Sequence, residues 1–356
     1  MFRKALGVVF LVAVIATVAG AATRKPLMEE FTNVQCGPCA SHDPWLQQFI
    51  NEHAGELSVV YYHMYWPGYD PWWVDNNDDN GIRRTYYGVN AVPSCRIDAI
   101  EPSSYPYTVA VLNQRYAAAM MVPSYVNISM SGAWGQGAGV GWIDINVEAE
   151  QTLGTNLVLH VAMVENDCQW NVTGAYDIHD YVMHDLLTGT TGLSIPDFNG
   201  PYPESRDYNY GWAIDPGWIV PGEEENLLFV AWIQNTVTKQ IMNSEMIAVT
   251  DFEFVAAPDA AGVVSPPHLG SIHPNPFNPT TNIPIVMPES GKVDLRIYGA
   301  DGTLVRTLVQ TTLSAGETSY RWDGVNDAGD PVASGVYYVH LITESNVTSR
   351  PITLLK

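Results

Sequence analysis

Apolar positions along the chain change their spacing more than once, and each change marks a segment. In residues 22–123, short apolar runs at 27–31, 57–63 and 94–98 alternate with stretches at helical spacing at 39–53, 73–87 and 107–121. Strand–helix–strand order of this kind predicts a compact α/β unit of ~100 residues. In residues 124–255 the helical spacing nearly disappears. Runs at 125–130, 142–147, 157–164 and 227–233 alternate there with Gly-rich turns, which predicts a middle antiparallel β-sandwich. Residues 256–270 are small, Pro-rich and aperiodic, the composition of an extended linker. Short strands return at 282–287, 292–298, 303–309, 318–322, 336–343 and 347–355, with Asp301-Gly302 between two alternating runs. Asp-Gly in that setting is a hairpin signal, so residues 271–356 predict a second, smaller β-sandwich. The expected fold class is multidomain, α/β followed by all-β.

Arg3 and Lys4 precede an apolar or small stretch to residue 22 that ends in Ala19-Gly20-Ala21. A basic start, an apolar middle and a small-residue end predict a cleaved secretory signal over residues 1–21. The competing reading, a membrane anchor, is weakened by Gly7, Thr17 and Gly20. The mature protein is therefore expected to fold outside the cytoplasm, where paired cysteines persist. With 356 residues of which 46% are apolar, a wholly disordered chain is excluded. The formal net charge of −22 repels phosphate backbones and anionic headgroups, so no nucleic-acid partner is expected, and it argues for a monomer.

Four cysteines are too few for a disulfide-stapled miniprotein, and two of them stand as Cys36-Gly37-Pro38-Cys39 between an apolar run and a helical stretch. That places the first sulfur at a helix N-terminus, where unpaired amides and the helix dipole stabilise a thiolate. Cys36 would then attack and Cys39, one turn inside, would resolve a mixed disulfide. Half a zinc site looks the same, but zinc wants a second pair or histidines at suitable spacing, and Cys95 and Cys168 stand alone. Cys95 follows Pro93 by two positions, which leaves it three readings: a role beside the dithiol, a bridge to Cys168, or a small buried apolar residue. The acidic run at 75–81 misses the spacing of a calcium loop and reads as a solvated helix start. Asp177, His179, Asp180, His184 and Asp185 miss the helical spacing of metal-binding histidine pairs and read as structural or surface groups. Trp66, Trp72, Trp73, Tyr61, Tyr62 and Tyr65 concentrate near an insert, where they either line a peptide or glycan groove or form a lid on the core. Asn127, Asn171 and Asn346 each open an N-glycosylation pattern.

Residues 25–122 resemble the thioredoxin fold. Glu30, six before Cys36, falls where such proteins keep a buried acid that moves the proton of the second cysteine, Pro44 at their helix-kinking proline, and Val92-Pro93 at the cis-proline loop that pairs with substrate backbone. Thr32 and Gln35 replace that fold's tryptophans and a long insert precedes Pro93, so thioredoxin itself is excluded. Leu27-Met-Glu-Glu-Phe-Thr, Asp70-Pro71 and Tyr86-Tyr87-Gly88 instead resemble the secreted outer-membrane-protein-28-related family, which couples a thioredoxin-like domain to a β-rich one. His273-Pro-Asn-Pro-Phe-Asn-Pro-Thr-Thr, Asp323-Gly324, the run from Ala328 to Tyr337 and Leu354-Leu355-Lys356 resemble the C-terminal sorting domain of type IX secretion substrates, a pattern shared with the immunoglobulin-like domain of the flagellar hook-capping protein.

The expected function is a secreted or cell-surface thiol–disulfide oxidoreductase needing no metal or organic cofactor. Cys36 attacks, Cys39 resolves, Glu30 moves the proton, Val92 and Pro93 hold the client strand, and Trp66 and Trp72 line its groove. Its partners would be disulfide or dithiol client proteins, a redox partner, and the type IX machinery through the C-terminal domain. Its route would pass through the periplasm to the outer-membrane surface or the medium. The alternative is a non-enzymatic surface binding or adhesion protein in which Cys36–Cys39 is a permanent structural bridge.

Overall fold

The structure, a computed structural model, describes residues 22–103, 105–135, 139–172, 175–214, 224–254, 267–270, 272–287, 290–299, 303–343 and 347–356. The predicted signal, residues 256–266 of the predicted linker, Asp301-Gly302 and Asn346 lie outside them. The first segment runs β1 (Leu27–Thr32), α1 (Gly37–Glu52), β2 (Ser58–His63), α2 (Pro71–Asp75), α3 (Asn77–Tyr87), β3 (Ser94–Ile97) and α4 (Val109–Met120). The stretch at 73–87 is two helices because Asp70 and Asn76 each place a side-chain oxygen over the first amides of a new turn. The second helix ends on Gly88, whose φ of 69° suits a residue without a Cβ.

Strands dominate the middle segment: β4 (Val126–Gly135), β5 (Val140–Ala149), β6 (Leu157–Glu165), β7 (Cys168–Val172), β8 (Ala175–His179), β9 (Val182–Leu186), β10 (Leu193–Ser194), β11 (Glu204–Ala213), β12 (Leu227–Asn235), β13 (Ile241–Ala248) and β14 (Glu253–Phe254). The expected boundary near residue 123 meets a continuous sheet, ordered β13-β12-β6-β9-β2-β1-β3 with β10 beside β6. β1 and β2 are parallel, β3 is antiparallel to β1, and β9 joins the outer edge of β2 at Tyr61 and Val182. On one face of β1–β3, Met28, Val59, Cys95 and Ile97 pack under Leu46 and Phe49 of α1 and Leu112 and Tyr116 of α4. On the other, Phe31 and Tyr62 join Val164, Val230 and Trp232 of β6 and β12. The opposite face of β6 and β12 closes a sandwich against the second sheet, β11-β5-β4-β14, through Leu159, Val161, Phe229, Ile143, Ile145 and Trp212. Burial on both faces explains why β6 and β12 read as near-continuous apolar runs.

Two buried networks lock the segments together. Arg24 pairs with Asp98 and donates to the Ile241 carbonyl at 3.1 Å. Arg83 of α3 pairs with Glu29 of β1 and donates to Gln234 of β12 at 3.1 Å and to the Tyr87 hydroxyl at 3.1 Å.

The last segment comprises β15 (His268–Leu269), β16 (Thr281–Met287), β17 (Gly291–Gly299), β18 (Leu304–Leu313), β19 (Gly316–Trp322), β20 (Gly335–Thr343) and β21 (Val347–Leu354). Sheets β15-β16-β19 and β18-β17-β20-β21 enclose a separate core of Phe277, Ile285, Leu295, Trp322, Val339 and Leu354. The end of the predicted linker belongs to this body, because His268 and Leu269 pair with Val286 and Ile285.

Candidate functional site

Cys36 caps α1, with an extended backbone and an Sγ that accepts the Cys39 amide at 3.1 Å. Pro38 fits the first turn because an amide there needs no helical partner. The two sulfurs are joined as a disulfide. Cys36 is 3% and Cys39 6% exposed, beneath exposed Gln35, Gly37 and Pro38. The Val92 carbonyl oxygen lies 3.7 Å from Cys36 Sγ, and the Val92–Pro93 peptide is cis. Sequence-distant Val92 and Pro93 therefore meet the cysteine motif. Pro44 lies inside α1.

Glu30 sits on the α1 face of β1, directly opposite Cys95 in the antiparallel register with β3. It is 1% exposed, and neither carboxylate oxygen has a hydrogen-bond partner of good geometry. Burial pushes its carboxyl up to about 8, against the weaker opposing pull of the neighbouring Cys95 thiol. Burial, and then the charge of Glu30, push the Cys95 thiol well above the ordinary range. Cys95 and Cys168 are both free, on β3 and β7, so of the three readings for Cys95 the bridge is removed.

The loop before Cys36 is fastened to the insert by residues whose part in it no local pattern gave. Asn33 donates to the carbonyls of Met64 at 2.7 Å and Gly68 at 3.0 Å. Asp70, 1% exposed, accepts from the Val34 amide at 3.0 Å and from His63 Nδ1 at 2.9 Å through one oxygen, and from the Trp72 and Trp73 amides at 3.1 Å through the other. Burial alone would raise the Asp70 carboxyl, but His63 and these amides outweigh it and hold it below the usual range. The available signal was Asp-Pro itself, a cap followed by a first-turn proline. His42 is buried on α1 with Nδ1 donating to the Pro38 carbonyl at 2.8 Å.

Trp72 is 7% exposed and packs on His63 and His179 with ring centroids 4.7 and 5.1 Å away, so it lines no groove. Tyr61 and Tyr62 are likewise core, because they lie on a strand with helices on one face and β6 and β12 on the other. Trp66 is half-buried between Tyr65 and Arg84, and Tyr65 and Tyr69 are both 54% exposed. The acidic run is not simply solvated either. Asp79 is 6% exposed and accepts from the Leu186 amide at 3.1 Å and Asn76 at 2.7 Å, with its carboxyl pushed up to about 7 by burial and then by Asp185. Of the downstream histidines, His184 is buried and His179 lies against His63.

No helix among the described residues is long and apolar enough to cross a membrane. No curated protein matches the chain in sequence. HBP35 of Porphyromonas gingivalis has a similar fold at 14% identity and a TM-score of 0.57, spanning 95% of this chain and 99% of that one. A domain of the outer membrane lipoprotein Omp28 from Porphyromonas gingivalis aligns at 13% identity and a TM-score of 0.27 over 36% of this chain and 91% of that one. FLGD from P. aeruginosa aligns at 24% identity and a TM-score of 0.18 over 21% and 58%. Residues 281–346 match the family model of the FlgD Ig-like domain, which makes the C-terminal body immunoglobulin-like.

Proposed function

We propose that this protein is an exported thiol–disulfide oxidoreductase of thioredoxin-like design, working through Cys36 and Cys39, with residues 271–356 as a type IX sorting domain. The observation that carries the reading is the convergence of a helix-capping Cys36 with the Val92–Pro93 loop, 3.7 Å away across 56 positions of sequence. In the reduced protein, the Cys36 thiolate attacks a client disulfide, forming a mixed disulfide and releasing one client thiolate. Cys39, giving its proton to Glu30, attacks Cys36 Sγ and releases the second client thiolate, so two electrons pass to the client and the Cys36–Cys39 bridge forms. A partner dithiol then restores the enzyme, or the same steps run in reverse to oxidise a client. Val92 and Pro93 present backbone to the client strand. The FlgD Ig-like match and the sequence motifs beyond residue 273 support the sorting role.

The second reading, a permanent bridge in a surface binding protein, draws support from the low exposure of both cysteines. Disulfide reduction by the purified mature protein separates the two. Activity should fall to the uncatalysed background in Cys36→Ser, and Cys39→Ser should accumulate mixed disulfides with clients. Absence of activity in the wild type, or activity unchanged in Cys36→Ser, rejects the oxidoreductase.

A further inference from the structure

The end of β6, the start of β7 and the middle of β9 bring three unlike ligand groups to one buried point. Glu165 Oε2 lies 3.1 Å from Cys168 Sγ and 2.7 Å from His184 Nε2. One ligand atom from each residue falls within 4.8 Å of the others, and the residues are 4%, 6% and 2% exposed. A carboxylate this far from water needs a compensating charge, and among the described residues no lysine or arginine pairs with Glu165. The basic group in contact with it is the imidazole of His184.

A nucleophilic cysteine does not fit the arrangement. The carboxylate stands between thiol and imidazole, so the thiol faces an acid in place of the base that would activate it. A thiolate, an imidazole and a carboxylate are, however, the donor types that zinc takes together. Calcium or magnesium would want oxygen throughout. Zinc–ligand distances of ~2.0–2.3 Å set neighbouring donors roughly 3.3–3.5 Å apart in a tetrahedron. The observed contacts need to open by only about half an ångström, within reach of side-chain rotation. His179 pairs with Cys168 in the β7–β8 register, but its ring lies against His63 and Trp72 and outside this group of donors.

We propose that Glu165, Cys168 and His184 form a buried structural site for a zinc-class divalent cation, with water completing the tetrahedron. The ion replaces the thiol proton and supplies the charge that the carboxylate lacks. Cys168 packs with Val34 and Trp72, so the bound ion would brace the floor of the loop that carries Cys36.

The test uses the full mature chain with Cys36–Cys39 kept oxidised, so that neither of those sulfurs can bind metal. Zinc added and then dialysed should remain at one equivalent per chain by elemental analysis, and cobalt(II) in its place should show thiolate-to-metal charge-transfer absorption. Cys168→Ala and His184→Gln should each weaken zinc binding by at least about 100-fold, the upper end of what loss of a mere outer partner costs. Circular dichroism establishes that the variants fold. If they do not, zinc protection of Cys168 against alkylation in the wild type, with Cys95 as internal reference, decides. Retention of no zinc, binding undiminished in both folded variants, or absence of protection overturns the site.

Discussion

Glu30 holds a carboxyl whose charged form the fold opposes: it is buried, and no ion pair reaches it among the described residues. In the unfolded chain this group titrates near 4.5, and in the folded chain at about 8. Between those values the folded state holds a proton that the unfolded state has lost, so stability falls as pH rises through the window, by on the order of 1.4 kcal/mol per pH unit at most. Asp79, raised to about 7, adds a slope of the same sign up to that pH. Glu30→Gln should flatten the dependence between 4.5 and 8 and leave the variant more stable than wild type above 8, as read by urea unfolding across pH. Glu29 is the contrasting neighbour, buried and paired with Arg83 under Tyr62 and Tyr87. Arg83→Met strands that carboxylate without its cation and should cost about 3–5 kcal/mol in the same measurement.

At the scale of elements, the short helix α2 exists to carry Asp70 to the loop before Cys36. One carboxylate caps the helix, holds Val34 and orients His63. Asp70→Ala removes the cap and leaves two buried donors unpaired, and should destabilise the protein by about 2–4 kcal/mol. Because the folded Asp70 carboxyl lies below its usual range, its contribution is present above the unfolded value and lost as pH falls through the folded one. The wild-type advantage over Asp70→Ala should therefore shrink on acidification below about pH 4. Trp322 plays the comparable part in the last body, its ring against Phe277 and Tyr337 and its Nε1 donating to the Val325 carbonyl at 2.9 Å. Trp322→Ala should cost about 3–5 kcal/mol and melt that body alone.

For the molecule as a whole, the cores imply two folding bodies where three were expected. The α/β part and the middle sandwich share one sheet and the Arg83–Glu29 and Arg24–Asp98 networks, so they should unfold in one transition. The C-terminal sandwich has its own core, and among the described residues its ion pair with the rest is Arg350–Asp185, 3.8 Å apart and partly exposed. Such a contact is worth about 0–1 kcal/mol. Deleting residues 256–356 should shift the unfolding midpoint of the remainder by no more than that allows, in calorimetry that shows one transition lost and one retained.

Local pattern was enough to reveal the cysteine motif at a helix start, the strand-rich middle and the turn-punctuated C-terminal body, because helix caps, Asp-Gly turns and apolar periods act over a few residues. It was not enough to reveal that β9 pairs with β2, that Trp72 is core, or that Asp79 is buried, since each depends on a partner about a hundred positions or more away. Spacing separated His184 from any ligand set, yet strand pairing sets it against Glu165 and Cys168. The chain's own chemistry thus determined which groups are available, and the tertiary structure decided which of them meet, because burial and register are properties of paired strands and not of neighbours in sequence.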